Sequence, residues 1–103
     1  IIIKSNEFIN SLNGKLYFIY LPDYNYVLNH ENNKYRLYLI NLMKELNIPF
    51  IDIQKNVFDI DDNPISFFAI GGESYHYTAE AYNLITNVIN IRLKADGIKS
   101  IVD

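Results

Sequence analysis

Leu16-Tyr17-Phe18-Ile19-Tyr20-Leu21-Pro22 decides the fold, because it is an unbroken apolar and aromatic run closed by a residue that cannot continue a ladder. A run of this length without polar alternation reads as a strand covered on both faces, the pattern of parallel sheets. Pro22-Asp23-Tyr24-Asn25 then supplies loop chemistry at the strand's carboxyl end, where open α/β sheets place their ligands. Downstream, Lys34 to Leu46 carries Tyr35, Leu37, Tyr38, Leu39, Leu42, Met43 and Leu46, so a helix is expected with most of its surface buried. Asn47-Ile48-Pro49 breaks it, and Phe50-Ile51-Asp52-Ile53 follows as a short second strand. Strand, helix and strand in that order make a crossover unit with parallel strands.

Upstream, Ile2, Ile3, Phe8, Ile9 and Leu12 predict a helix within residues 1–13, with Ser5 as a possible internal start and Asn13-Gly14 as its stop. On the other side of the crossover, Asp59, Asp61, Asp62 and Asn63 cluster. A calcium loop needs a glycine at its sharp turn and a closing bidentate Glu, and neither follows at the required offset, so a solvated turn is expected and no metal. Ile65 to Ile70 is apolar and leads into a glycine pair. From Ala79 to Leu93 the polar positions Glu80, Asn83, Asn87, Asn90 and Lys94 recur at helical steps, with Tyr82, Leu84, Ile85, Val88 and Ile89 on the other faces: a long closing helix.

The chain has 103 residues, half hydrophobic and a fifth charged, enough for one small core. Its net charge of -3 and its scattered lysines offer no patch to neutralise phosphates, which argues against nucleic acid as a partner. Without cysteine, disulfides, thiolate zinc sites and cysteine nucleophiles are excluded. No apolar run approaches the length of a membrane span. No cofactor motif is present, and the compartment stays open.

The chemistry gathers in Gly71-Gly72-Glu73-Ser74-Tyr75-His76-Tyr77-Thr78-Ala79-Glu80-Ala81-Tyr82. Thr78 is a fitting N-cap for the closing helix, which places His76 just outside its mouth. Glu73, three residues earlier, has the spacing to reach one ring nitrogen and leave the other free to exchange a proton. A helix-flanking histidine with one backbone hydrogen bond is the plainer alternative. His30, in a polar loop, reads as a solvated histidine.

This block resembles the last conserved block of the SGNH (GDSL-type) esterase and acyl-hydrolase family: Asp-x-x-His, a small polar cap, then a helix with Gly or Ala followed by an aromatic. Here Glu73 replaces the Asp, and Ala81 stands where glycine is common. The resemblance runs from about Lys15 to the end of the last helix. It implies a three-layer, flavodoxin-like α/β half-domain with parallel strands, with His76 as general base and Glu73 as its orienter. The family's Gly-Asp-Ser block and its oxyanion-donating glycine and asparagine do not occur in this sequence. Ser5, Ser11, Ser66, Ser74 and Ser100 all lack a strand-to-helix elbow. Residues 1–103 are therefore expected to be a single domain or the C-terminal fragment of such a domain, inactive alone. The sequence also begins mid-pattern and without a methionine, which strengthens that expectation.

The Leu-Pro-Asp-Tyr strand end and the Gly-Gly approach look like bacterial esterases and O-acyltransferases acting on glycans. The implied partner is an acylated small molecule or glycan. Tyr17, Tyr20, Tyr24, Tyr26, Tyr75 and Tyr77 would line a carbohydrate face or serve as core aromatics with polar tips. A third possibility, from a different class, is a non-catalytic module that associates with itself or a partner through an exposed sheet edge.

Overall fold

The computed structural model describes residues 1–29, 34–69 and 76–98. Within them the order is α1 (Ile2–Ser11), β1 (Phe18–Tyr20), α2 (Tyr24–Asn29), α3 (Lys34–Glu45), β2 (Phe50–Asp52), a π-helical turn (Gln54–Phe58), a 3₁₀ turn (Pro64–Phe67) and α4 (Ala79–Ala95). β1 and β2 pair in parallel, Phe18 with Phe50, Ile19 with Ile51 and Tyr20 with Asp52. The chain is thus mixed helix and strand around a two-stranded parallel sheet, as the strand, helix and strand order predicted.

Three helices end by the same device. Asn13 (φ 60°), Asn47 (φ 55°) and Gly97 (φ 80°) take the left-handed conformation. The next amide in each case turns back to the carbonyl five residues earlier: Gly14 to Ile9 at 2.9 Å, Ile48 to Met43 at 2.9 Å and Ile98 to Leu93 at 2.9 Å. These bonds satisfy carbonyls that the helix leaves orphaned. α1 starts three residues before Ser5, while Asn13-Gly14 does end it. At Gly14 a Cβ would stand 2.9 Å from Ile9 Cγ2 and 3.2 Å from its carbonyl oxygen, so the close approach requires glycine.

The core gathers Val27, Ile51, Ile53, Val57, Phe58, Phe67, Phe68, Ala81 and Ile85. Phe58 is its hub, with ring centroids 5.4 Å from Phe67, 5.6 Å from Phe68 and 5.5 Å from Tyr77. Successive residues of β2 turn opposite ways. Ile51 joins the core with Ala81 and Ile85 of α4, whereas Asp52 meets Arg36 of α3.

Two expectations are corrected. β1 is not covered on both faces: Tyr20 is buried, but Ile19 and Leu21 are exposed. Nor is α3 largely buried, since Met43 alone is buried on it and Tyr35, Leu37 and Tyr38 are more than half exposed. The reason is size. A three-residue strand runs about 10 Å and its neighbour lies about 4.8 Å away, whereas a twelve-residue helix is about 18 Å long. The sheet is too small to cover the helix laid on it.

Candidate functional site at the carboxyl end of the first strand

His76 is placed by a short antiparallel bridge between Phe68 and Tyr77. Its carbonyl accepts the Ala69 amide at 2.7 Å, and the Thr78 amide donates to the Phe67 carbonyl at 2.8 Å. The backbone is thereby pinned on both sides of the histidine. Thr78 then caps α4, its hydroxyl accepting the Ala81 amide at 3.2 Å, as the sequence predicted. Ala81, at the position the resemblance assigns to glycine, is fully buried. His76 is exposed.

The bridge faces the loop that leaves β1. The Tyr77 hydroxyl donates to the Pro22 carbonyl, tying the two segments together. Burial, with lesser contributions from Tyr82, Asp23 and Tyr20, pushes the Tyr77 phenol well above its ordinary value, so it stays a donor. Between bridge and loop lies a cavity of about 240 Å³ lined by Leu21, Pro22, Asp23, Tyr24, Phe68, His76, Tyr77 and Tyr82. The rings form a continuous wall. Tyr24 meets Phe68 edge-on at 5.2 Å, Phe68 lies 5.1 Å from Tyr77, and Tyr77 meets Tyr82 edge-to-face at 5.7 Å.

The candidate site residues part company here. His76 stands on the cavity, while Glu73 lies outside the described residues, as do Ser74, His30 and Tyr75. Serine is absent from the described lining, and Asp23 is the acidic residue on it. Of the other tyrosines, Tyr24 and Tyr77 line the cavity; Tyr20 is buried against Phe50 with centroids 6.2 Å apart. Tyr17 sits elsewhere, donating to Asp96 Oδ2 at 2.6 Å.

Two features went unread in the sequence. Tyr82 shows as a cavity residue, although its helical position signals only a packing face. Asp52, 8% exposed, is gripped by Arg36 through Nε and Nη2 along one guanidinium edge, with Nε 3.3 Å from Oδ1, and accepts the Lys55 amide at 3.2 Å. That bidentate contact raises the Arg36 pKa further and closes the carboxyl end of β2 with a satisfied ion pair. In the acidic turn, the Asp61 carboxylate accepts the Asn63 amide at 2.8 Å. Among the described residues no group of three or more His, Asp or Glu side chains is placed to hold a metal, and no helix is long and apolar enough to cross a membrane. No family model, curated protein or solved structure matches the chain.

Proposed function

We propose that the chain is the base-carrying C-terminal segment of an SGNH-type ester hydrolase acting on O-acyl groups of a glycan or a similar ester. The observation that carries this reading is the placement of His76: pinned backbone, exposed imidazole, an open cavity, and the carboxyl end of a parallel strand beside it. In the proposed reaction one ring nitrogen takes the proton of a serine hydroxyl supplied from outside this sequence, and the oxygen attacks the acyl carbon. The imidazolium then hands that proton to the leaving alkoxide. The resemblance implies that Glu73 is the orienter of the other ring nitrogen and fixes the tautomer. The opposite turning of Ile51 toward α4 and Asp52 toward α3 supports a three-layer arrangement of the flavodoxin-like kind.

A glycan O-acyltransferase would use the same proton transfers and release the acyl group to a sugar hydroxyl in place of water. The non-catalytic module has its own support in the exposed Tyr35, Leu37 and Tyr38 of α3. The test is made in the protein that supplies the serine. His76→Ala should lower ester turnover by about 10⁴-fold or more, while these 103 residues alone should not hydrolyse small aryl esters. Turnover unchanged by His76→Ala would end the hydrolase and transferase readings together.

A further inference from the structure

The cavity beside His76 holds more polar groups than a general base requires. Asp23 and Tyr82 both line it, and neither the Asp23 carboxylate nor the Tyr82 hydroxyl has a hydrogen-bond or ion-pair partner among the described residues. Tyr82 is half exposed, yet its ring is held edge-to-face against Tyr77. The Tyr77 hydroxyl is already committed to Pro22, so Tyr77 contributes a fixed wall.

We infer that this cavity is a subsite for one sugar ring, with Tyr82 as its stacking face and the Asp23 carboxylate as the acceptor for ring hydroxyls. Size decides the first part. At about 240 Å³ the space falls below the roughly 300 to 1,000 Å³ of sites for drug-sized ligands, so it suits one ring and not an extended chain. Chemistry decides the second. A sugar ring has an apolar face of C–H groups for an aromatic wall and a rim of hydroxyls that both donate and accept. Asp23 can only accept, whereas the Tyr82 hydroxyl can donate, and a polyol uses both. An organic cation would suit the rings and Asp23, but it would leave the Tyr82 hydroxyl without an acceptor. What the ring carries, an O-acyl ester directed at His76, rests on the hydrolase reading; the binding of the ring does not.

The experiment is an amide-detected NMR titration of the 103-residue chain with methyl glycosides of glucose, galactose, mannose and N-acetylglucosamine, and with tetramethylammonium. At least one glycoside should shift the signals of Asp23, Tyr77 and Tyr82 together, with Kd on the order of 1 mM, as befits a single ring with few hydrogen bonds. Asp23→Asn, which is isosteric and lies in an exposed loop, should weaken that binding about tenfold. Tyr82→Ala should do the same or more, Tyr82→Phe should weaken binding by a smaller factor because it keeps the stacking face and loses the hydroxyl donor, and Tyr35→Ala on α3 should titrate as the parent does. The amide spectrum of each variant reports whether it is folded. The subsite is overturned if no glycoside moves those signals, if Asp23→Asn and Tyr82→Ala bind unchanged, or if tetramethylammonium alone binds. Because the titration reads binding without turnover, a failure here leaves the hydrolase reading standing, and inactivity of His76 leaves the subsite standing.

Discussion

At the scale of single residues the proposed function gives two carboxylates different work. Glu73 precedes the histidine by three residues, and Asp23 reaches the cavity from the loop after β1. A group that orients a general base acts on the imidazolium formed in the transition state, so its loss belongs in the rate constant. A group that holds the ring of a substrate acts in ground state and transition state alike. In the serine-bearing protein, Glu73→Gln should therefore lower kcat with KM little changed, and Asp23→Asn should raise KM with kcat little changed. Steady-state kinetics on an O-acetylated glycoside separate the two. The reverse pattern would make Asp23 the orienter of His76 and remove it from the sugar.

At the scale of elements, the aromatic hub behind the site joins stability to function. Phe58 is 1% exposed and touches Phe67, Phe68 and Tyr77, and Tyr77 is the wall of the cavity. Phe58→Ala should cost about 3 to 5 kcal/mol, a large part of the roughly 5 to 15 kcal/mol that holds a domain together. Urea unfolding measures it; a loss below about 1 kcal/mol would mean that the hub collapses without a cavity. At the other end of α4, Tyr17 and Arg92 both donate to Asp96 Oδ2, at 2.6 and 3.1 Å. The Tyr17 hydrogen bond, then Arg92, holds the Asp96 carboxyl below its ordinary 3.8, and the same bond to Asp96 raises the Tyr17 phenol above 10.0. A depressed acid stabilises the fold above its unfolded pKa and loses that contribution as pH falls through the folded one. The clip should thus be intact above pH 3.8 and open below Asp96's depressed value. Tyr17→Phe should return Asp96 toward 3.8 in a carboxyl-detected NMR titration, and an unmoved Asp96 would assign the shift to Arg92.

Much of this was legible in the sequence, and the part that was not has a common cause. Helix stops at Asn13-Gly14 and Asn47, the Thr78 cap, the parallel strand pair and the solvated acidic turn follow from local rules about φ, caps and turns. Burial does not. The Leu16–Leu21 run and the apolar surface of α3 specify what those segments prefer to face, and two three-residue strands cannot supply it. Arg36 and Asp52 lie 16 residues apart on different elements, so no spacing rule joins them. Tyr82 was hidden by its own periodicity, because a helical apolar position looks the same whether it meets a core or a ligand.

At the scale of the whole molecule, the surface is larger than the mass calls for. A compact chain of 12.1 kDa exposes about 6,000 Å², and this one exposes 7739 Å². Its radius of gyration is 15.3 Å, against about 13 Å for a globular domain of this length. The surplus of roughly 1,700 Å² is about twice the roughly 800 Å² that one partner contributes to a standard protein interface. The exposed apolar residues include Ile3 and Phe8 on α1, Leu12 at its C-terminal cap, the aromatic face of α3, and Ile19 on β1. Each strand of the sheet has a single strand neighbour among the described residues, and its other edge pairs with no strand there. Self-association through that edge is the expected consequence. In light scattering the apparent mass should rise above 12.1 kDa with concentration. Ile19→Lys, which puts a charge on the edge strand, should hold it down, because a desolvated ammonium opposes strand pairing. The same change on α3, Tyr38→Lys, should leave association through the strands in place. If Tyr38→Lys disperses the assembly and Ile19→Lys does not, the contact is made through the helix face, and the open edge of the sheet takes no part in it.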